Sequence, residues 1–380
     1  MPLYKVSGTI SDSARVIIIE ESGWTIESNE LDSPTDYEAL DLTSDTKLII
    51  ARENNGEALG YGNVEPIPYP DPNTGIVWTD RSTPSYQYVS VAWGSGPGLF
   101  AAVAISAGTT AVMTSPDGIT WTGRTTPSWN FRDICYSPDL DLFCAVADTG
   151  TYVITSPDGI TWTARTGAFG YNWWSVCWSP ELSLFCAVAQ WNNNSGDSVM
   201  TSPDGINWTL RSTGNDAVLD SVCWSPELGL FCAVASWTYG GDSSVITSPD
   251  GINWTARTPS GENGWREVCW SPELGIFCAV ASEINQVMTS PDGITWTARS
   301  QSHGIGSYGV IWGPEVNLFV AIGSGDGGDN AIMTSPDGIN WTSRTSPNST
   351  LGKSVCWSPE LLKFVAVSST GSNDRAWTSI

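Results

Sequence analysis

Side chains able to move protons near neutral pH are almost missing, since His303 is the only histidine in the chain. That removes most imidazole-based metal sites and most acid–base chemistry centred near pH 7. A single histidine between Ser302 and Gly304 reads as a loop residue. Arginine is the next candidate. Arg81, Arg124, Arg165, Arg211, Arg257, Arg299 and Arg344 each close a Trp-Thr-x-Arg segment. A catalytic group is needed once, so a residue repeated at one place in every unit is structural. Cysteine gives a second pattern: Cys135/Cys144, Cys177/Cys186, Cys223/Cys232 and Cys269/Cys278 are each nine apart. If Trp178 opposes Phe185 across a hairpin, Cys177 faces Cys186, with Cβ atoms about 4.5–5.5 Å apart. Such pairs can be disulfides or buried thiols packed as small hydrophobes, and both readings stay open. Ala92/Ala101, Ile311/Val320 and Cys356/Val365 fill the same places in other units, so an apolar pair suffices there. The spacing lacks the close pairs of a zinc site. Asp197, Asp242, Asp326 and Asp329 sit in oxygen-rich loops that suit Ca²⁺, but solvated turns are the simpler reading. No cofactor and no metal is implied.

The elements that position these residues are internal repeats. Thr-Ser-Pro-Asp-Gly-Ile-(Thr/Asn)-Trp-Thr recurs with its Asp at Asp117, Asp158, Asp204, Asp250, Asp292 and Asp337. A second segment, such as Val176–Val188, recurs with its Phe at Phe100, Phe143, Phe185, Phe231, Phe277, Phe319 and Phe364. Each unit reads as four strands, for example a at Ser175–Trp178, b at Leu184–Ala189, c at Ser198–Thr201 and d at Ile206–Arg211. Ser-Pro-Asp-Gly between c and d has turn chemistry. A period of about 40–45 residues with four strands per unit is the signature of a β-propeller. The chain ends after strand c of the seventh unit, and the missing d is Gly75–Arg81 at the other end. The fold expected is therefore all-β: a small antiparallel β-sandwich, then a seven-bladed β-propeller closed by pairing of the N-terminal strand d with C-terminal strands a–c.

Residues 1–66 lack the repeat and carry 13 acidic and 4 basic residues. Alternating runs at Tyr4–Ile10, Arg15–Glu20, Tyr37–Leu42 and Lys47–Arg52 predict the sandwich. Residues 67–74, with Pro68, Pro70 and Pro72, predict an extended linker, and 75–380 the propeller. The formal charge of −24 argues against nucleic acid and against anionic membrane surfaces as partners. No apolar run is long enough for membrane insertion, and no signal peptide is visible at the N-terminus.

The repeated Ser-Pro-Asp-Gly-Ile-Thr-Trp resembles the Asp-box (BNR-like) repeat of sialidases and related propellers, with one residue missing between Asp and Gly. The resemblance covers about residues 75–380 and implies a peripheral hairpin motif without chemistry. Sialidases gather three arginines at the mouth of the ring. Once the repeated arginines and the first domain are set aside, Arg132, Arg266, Lys353, Lys363 and Arg375 remain, which reads as too few and too scattered. The expectation is no enzyme and no catalytic residues, with a sialidase-like glycosidase as a minor alternative. Val6–Ile10 and Tyr37–Leu42 resemble the carboxypeptidase-regulatory, transthyretin-like sandwich, and the pairing with near-identical blades resembles virion proteins of tailed bacteriophages. That resemblance implies a tail-fibre or adhesin-like protein in a virion assembled in the host cytoplasm. It would form a homo-oligomer in the particle, and its first domain would contact other virion subunits.

The a–b loops (Ser-Pro-Glu-Leu) and c–d loops barely change between units, whereas d–a and b–c loops differ. The latter two leave on one face, and function on rigid scaffolds concentrates in variable loops. That face carries Trp129, Phe131, Trp173, Trp174, Trp191, Trp237, Trp265 and Tyr308. Phe131, Trp173, Trp191, Trp237 and Trp265 are the candidate ligand-binding residues, suited to stacking on a host surface glycan or a protein receptor. The alternative is a structural or decoration protein whose propeller packs on neighbouring subunits.

Overall fold

A computed structural model describes residues 71–379 apart from short stretches at 106–107, 149–151, 169, 192–195, 215–216, 239–242, 262–263, 283–285, 301–305, 325–330 and 371–373. Before residue 71 it describes four strands. The chain divides into two compact units, Met1–Asp71 and Pro72–Ile380. In the first, one antiparallel sheet runs in the order Thr25–Leu31, Ala14–Glu20, Thr46–Arg52, Ala58–Gly62. The expected strands at 4–10 and 37–42 lie outside the described residues, as does the linker before Asp71.

The second unit is a ring of seven four-stranded antiparallel sheets. Blade 1 starts at Gln87, blade 2 at Phe131, blade 3 at Asn172, blade 4 at Val218, blade 5 at Trp265, blade 6 at Gly306 and blade 7 at Gly352. Blade 3 is representative, with a at Asn172–Ser179, b at Leu184–Trp191, c at Val199–Ser202 and d at Thr209–Arg211. Strand d is shorter than its alternating pattern suggests because the turn before it runs on to the tryptophan. In that turn Asp204 accepts from the backbone N–H groups of Ile206 and Asn207, and Trp208 donates to the carbonyl of Gly205. Burial alone would raise the Asp204 carboxyl, but those bonds outweigh it and pull the value down to about 2. Gly205, at φ 69°, takes the left-handed conformation the turn requires.

Ring closure follows the expected strand exchange. Trp78–Ser82 pairs antiparallel with Asp374–Ser379, with Trp78 opposite Ser379 and Arg81 opposite Ala376. The repeated arginines are structural. Arg211 Nε donates to Thr201 Oγ1 on strand c at 3.0 Å, and Arg81 makes the same bond to Thr378 at 2.7 Å across the two chain ends. The cysteine register is also as expected: Cys177 opposes Cys186 and Cys356 opposes Val365. All nine cysteines are thiols, packed as small apolar groups.

Blades are held to one another by two sets of bonds. The indole of each strand-a tryptophan donates to the acid in the a–b loop of the preceding blade. Trp178 bonds Asp139, Trp224 bonds Glu181, Trp270 bonds Glu227, Trp312 bonds Glu273, Trp357 bonds Glu315, and Trp93 of blade 1 bonds Glu360 of blade 7. Blade 1 has Gly96 where the others have the acid, and blade 2 has Tyr136 where the others have Trp. Gly96 N–H donates to the Tyr136 hydroxyl, which bonds Asp141. A Cβ on Gly96 would lie 1.9 Å from the Asp141 carboxylate. Nearer the axis, Ser354, Ser90, Asp133, Ser175 and Ser221 accept from the backbone N–H groups of Val91, Ile134, Val176, Val222 and Val268 in the following blades.

Inside each blade an invariant Phe is fully buried and packs on the strand-a ring, as Phe185 does on Trp178 at 4.6 Å between centroids. In blade 7 the core is repacked around Trp377, which replaces the Met or Ile of the other strands c. Gly352 makes room for it, since a Cβ there would lie 3.2 Å from the indole.

Trp377 thus carries both the seventh core and the closing strand. Replacing Trp377 with Ala removes a fully buried indole, at a cost of about 3–5 kcal/mol, so thermal melting should fall by roughly 10 °C. Melting within a degree or two of wild type would show that the closing blade does not hold the ring.

Candidate functional site

One structural irregularity is common to all seven blades. Near the start of strand a the pairing register with strand b slips by one residue. In blade 2 Phe131 opposes Ala147 and Asp133 opposes Val146, so Arg132 is the extra residue of a β-bulge. The same slip makes Val89, Trp174, Asp220, Arg266, Tyr308 and Lys353 the bulge residues of the other blades. A bulge re-aims its side chain and leaves it out of the ladder. All seven line a single axial cavity of about 400 Å³. The residues next in strand a recur as Ser90, Ser175, Ser221 and Ser354, but the bulge position has no consensus. It is the column in which the symmetric scaffold becomes asymmetric.

The chemistry of this ring is cationic and aromatic. The Arg132 guanidinium carbon lies 4.1 Å above the Trp174 ring centre, and Lys353 Nζ lies 3.8 Å from that of Tyr308, with Arg266 at 6.0 Å from the same ring. Arg132 is tied to Asp148, and Arg266 donates to Asp220 at 2.8 Å and to Ser282 at 3.0 Å. Lys353 makes no ion pair among the described residues. Burial, then Arg266 and Arg132, lowers its ammonium from the ordinary 10.5 to about 8.

Two carboxyls and Gly309 interrupt the serine ring below. Asp133 accepts from Ser90 at 2.6 Å and from Val176 N–H at 2.8 Å, keeping the stitch that serine makes elsewhere. Burial raises its carboxyl against these bonds. Glu267 makes no stitch to blade 6. Burial first, and Asp133 second, hold its carboxyl well above the usual carboxylate range. Ser90, Asp133, Ser175, Glu267 and Ser354 also line a second cavity deeper along the axis, bounded below by Cys135, Cys223, Cys269 and Cys356. They form the waist between the two cavities.

The five aromatic candidates do not form one site. Phe131, Trp173 and Trp265 are buried between the blades, at 0 %, 0 % and 2 % exposure. The reason is the bulge: each immediately precedes the bulge residue and faces the blade interior, while its neighbour takes the axis. Trp237 is 56 % exposed at the end of its strand b. Trp191 pairs with Asn172, and its side chain lies outside the described residues. Arg132, Arg266 and Lys353, which read as scattered, are brought together. The signal that finds them is the blade-by-blade alignment, in which this one strand-a column has no consensus. Of the Asp-rich loops, Asp242, Asp326 and Asp329 fall outside the described residues. Among those described, no group of three His, Cys, Asp or Glu could hold a metal, and no helix is long and apolar enough to cross a membrane.

No protein-family model matches the chain, and no curated protein matches it. Solved structures do. A virginiamycin B lyase from Staphylococcus aureus superposes with a TM-score of 0.64 at 9 % identity over 80 % of this chain and 99 % of that one. A GH74 enzyme from Niastella koreensis gives 0.61 at 14 % identity over 77 % of this chain and 53 % of that one. The propeller domain of Cps50 (Swd1) from Myceliophteria thermophila gives 0.58 at 10 % identity over 80 % of this chain and all of that one. At these identities the likeness establishes the fold, an all-β seven-bladed propeller, and nothing of chemistry. The expectation that the chain is no enzyme is corrected to this extent: two of these three similar rings, the virginiamycin B lyase and the GH74 protein, are enzymes, so the fold gives that expectation no support. The argument behind that expectation fails too: it counted arginines along the sequence, and three basic side chains converge at the axis.

The Lys353 shift has a consequence for stability. Between pH 8 and 10.5 the unfolded chain keeps a proton that the folded chain has lost, so stability rises with pH through that window. Below pH 8 the folded state holds a disfavoured charge. Lys353→Met should therefore raise the melting temperature at pH 7 by about 2 °C and flatten the rise between pH 8 and 10.5. A lower melting temperature at pH 7 would show that the ammonium is stabilised where it sits.

Proposed function

We propose that the propeller recognises an acidic ligand, the charged end of a sugar acid on a surface glycan, in the axial cavity. The observation that carries this reading is the convergence of Arg132, Arg266 and Lys353 on one cavity in a chain with 40 acidic and 16 basic residues. Against such a background three basic groups in one cavity, beside Asp133, Asp220 and Glu267, are a directed feature. Lys353 keeps its donors, and each arginine has guanidinium N–H groups beyond those committed to Asp148, Ser282 and Asp220, so a carboxylate has partners. Trp174 and Tyr308 supply walls on which a sugar ring stacks. A host receptor is the partner this suits, in the setting of a virion surface protein whose first unit contacts neighbouring subunits.

A second reading, packing of the propeller on other subunits, has one observation in its favour. Val77, Ile119, Ile160, Ile206, Ile252, Ile294 and Ile339, one per blade in the c–d turns, are 40–49 % exposed. They ring the face opposite the bulges, so the two readings occupy different surfaces.

The test is calorimetric titration of the full chain at low salt with glucuronate and, separately, glucose. Glucuronate should bind and glucose should not, and Arg266→Gln or Lys353→Gln should weaken glucuronate at least about tenfold, the loss of one charge-assisted bond. Equal binding of both sugars, or glucuronate binding untouched by both variants, would remove the axial site from recognition and leave the apolar face.

A further inference from the structure

Lys353 stands apart from the other basic groups of the cavity. Arg132 and Arg266 have carboxylate partners, while Lys353 has an aromatic ring and no anion among the described residues. It sits on a bulge, outside the strand ladder, so its backbone is fixed while its side chain projects into the cavity. Below it the waist holds Glu267, an acid without a hydrogen-bond partner among the described residues. An amine, two fixed cations and an unengaged acid around one open cavity are the components of carbonyl capture.

We propose that Lys353 is a nucleophilic amine that captures the carbonyl of a small carbonyl-bearing acid as an imine. The inference rests on the anion-binding reading only for the ligand's charge. The neutral Nζ attacks the carbonyl carbon, and the C=O π pair moves to oxygen, which takes a proton. Nζ gives up a proton to solvent as the carbinolamine forms. Glu267 then protonates the carbinolamine hydroxyl, which leaves as water, and the nitrogen lone pair closes the C=N⁺ bond. The products are an iminium on Lys353, one water and the Glu267 carboxylate beside the new cation. No oxidant or reductant takes part.

The charged and aromatic groups that line the cavity with Lys353 are Arg132 and Arg266, which oppose its charge, and Tyr308, Asp133, Asp220 and Glu267, which favour it. Burial and the cations prevail and bring the ammonium to about 8. At pH 7.5 about a quarter of such an amine is neutral, against about one part in a thousand for an ordinary lysine, a gain of roughly 200-fold. Arg132 and Arg266 supply the grip for the acid's carboxylate.

Glyoxylate carries both groups in the smallest form, and glycolaldehyde carries the carbonyl alone. The full chain is incubated with each at pH 7.5 in the presence of cyanoborohydride, which reduces the iminium to a stable secondary amine, and is then mapped by peptide mass. The chain has four lysines, Lys5, Lys47, Lys353 and Lys363, so Lys363 in the same propeller is an internal control. Glyoxylate should label Lys353 at least tenfold faster than Lys363 and faster than glycolaldehyde does. Arg266→Gln should remove the preference for glyoxylate, and Glu267→Gln should slow labelling without changing which lysine reacts. Lys353→Arg should abolish the label at this position while leaving the slow labelling of Lys363 unchanged. Labelling of Lys353 no faster than Lys363, in protein that binds glucuronate, overturns the imine and leaves anion binding standing. Fast labelling of Lys353 by both reagents alike, in protein that fails to bind glucuronate, keeps the nucleophile and overturns its acid preference.

Discussion

A propeller depends on each blade gripping the next around a closed circle. Here that grip is an indole N–H donated to the acid in the preceding a–b loop. The bond fixes two things at once: it sets the lateral distance between blades, and it anchors the tryptophan that covers the buried Phe. This explains why Ser-Pro-Glu hardly varies, since its carboxylate belongs energetically to the neighbouring blade. The exception supports the rule. Where Gly96 replaces the acid, Tyr136 replaces the indole and finds Asp141 in its own blade. Both halves of the pair have changed together, in blades that are adjacent in space.

Closure follows from the same logic. A ring with one unlatched junction has two open sheet edges, so the last junction must be as good as the others. Arg81–Thr378 and Trp93–Glu360 repeat across the chain ends the bonds made elsewhere within continuous chain. Sharing strand d between the termini ties closure to the folding of the whole propeller, which no single blade can complete.

Much of this was legible in the sequence because repetition amplifies weak signals. Seven phenylalanines at the same place in successive repeats, or seven arginines after Trp-Thr, define strands and registers that a single copy would leave ambiguous. The cross-strand cysteines and the exchanged strand were readable for the same reason. The site was not, for two physical reasons. The bulge breaks period-two alternation by one residue, so Trp173 and Trp174 both read as part of the variable face, whereas Trp173 is buried between blades and only Trp174 reaches the axial cavity. Convergence at an axis also joins residues from separate blades, and nothing local relates Arg132 to Arg266 or to Lys353. The tryptophans of the variable segments drew attention because Trp is costly to expose, and for Phe131, Trp173 and Trp265 the answer is that they are not exposed.

The symmetric and asymmetric parts of the molecule are consequently separated by one residue along strand a. At Ser90, Ser175, Ser221 and Ser354 the side chain must accept the neighbouring blade's N–H, and the position is held to serine with few departures. One step earlier the bulge residue has no place in the ladder and makes no contact common to all blades. It is Val, Trp, Tyr, Arg, Asp or Lys, and its contacts with neighbouring blades, such as Arg266 to Asp220, differ from one junction to the next. Asp133 and Glu267 show the boundary of that freedom. Asp133 keeps the serine's bond and adds a charge, whereas Glu267 gives the bond up and places an unengaged acid at the waist. A serine there would strengthen the junction between blades 5 and 6. The ring tolerates the missing stitch at this junction because the indole latch of Trp312 to Glu273 spans it on the other face, as that of Trp357 to Glu315 does where Gly309 of blade 6 also has no side chain to offer. That redundancy lets the wall of the cavity carry a group whose geometry the fold does not require.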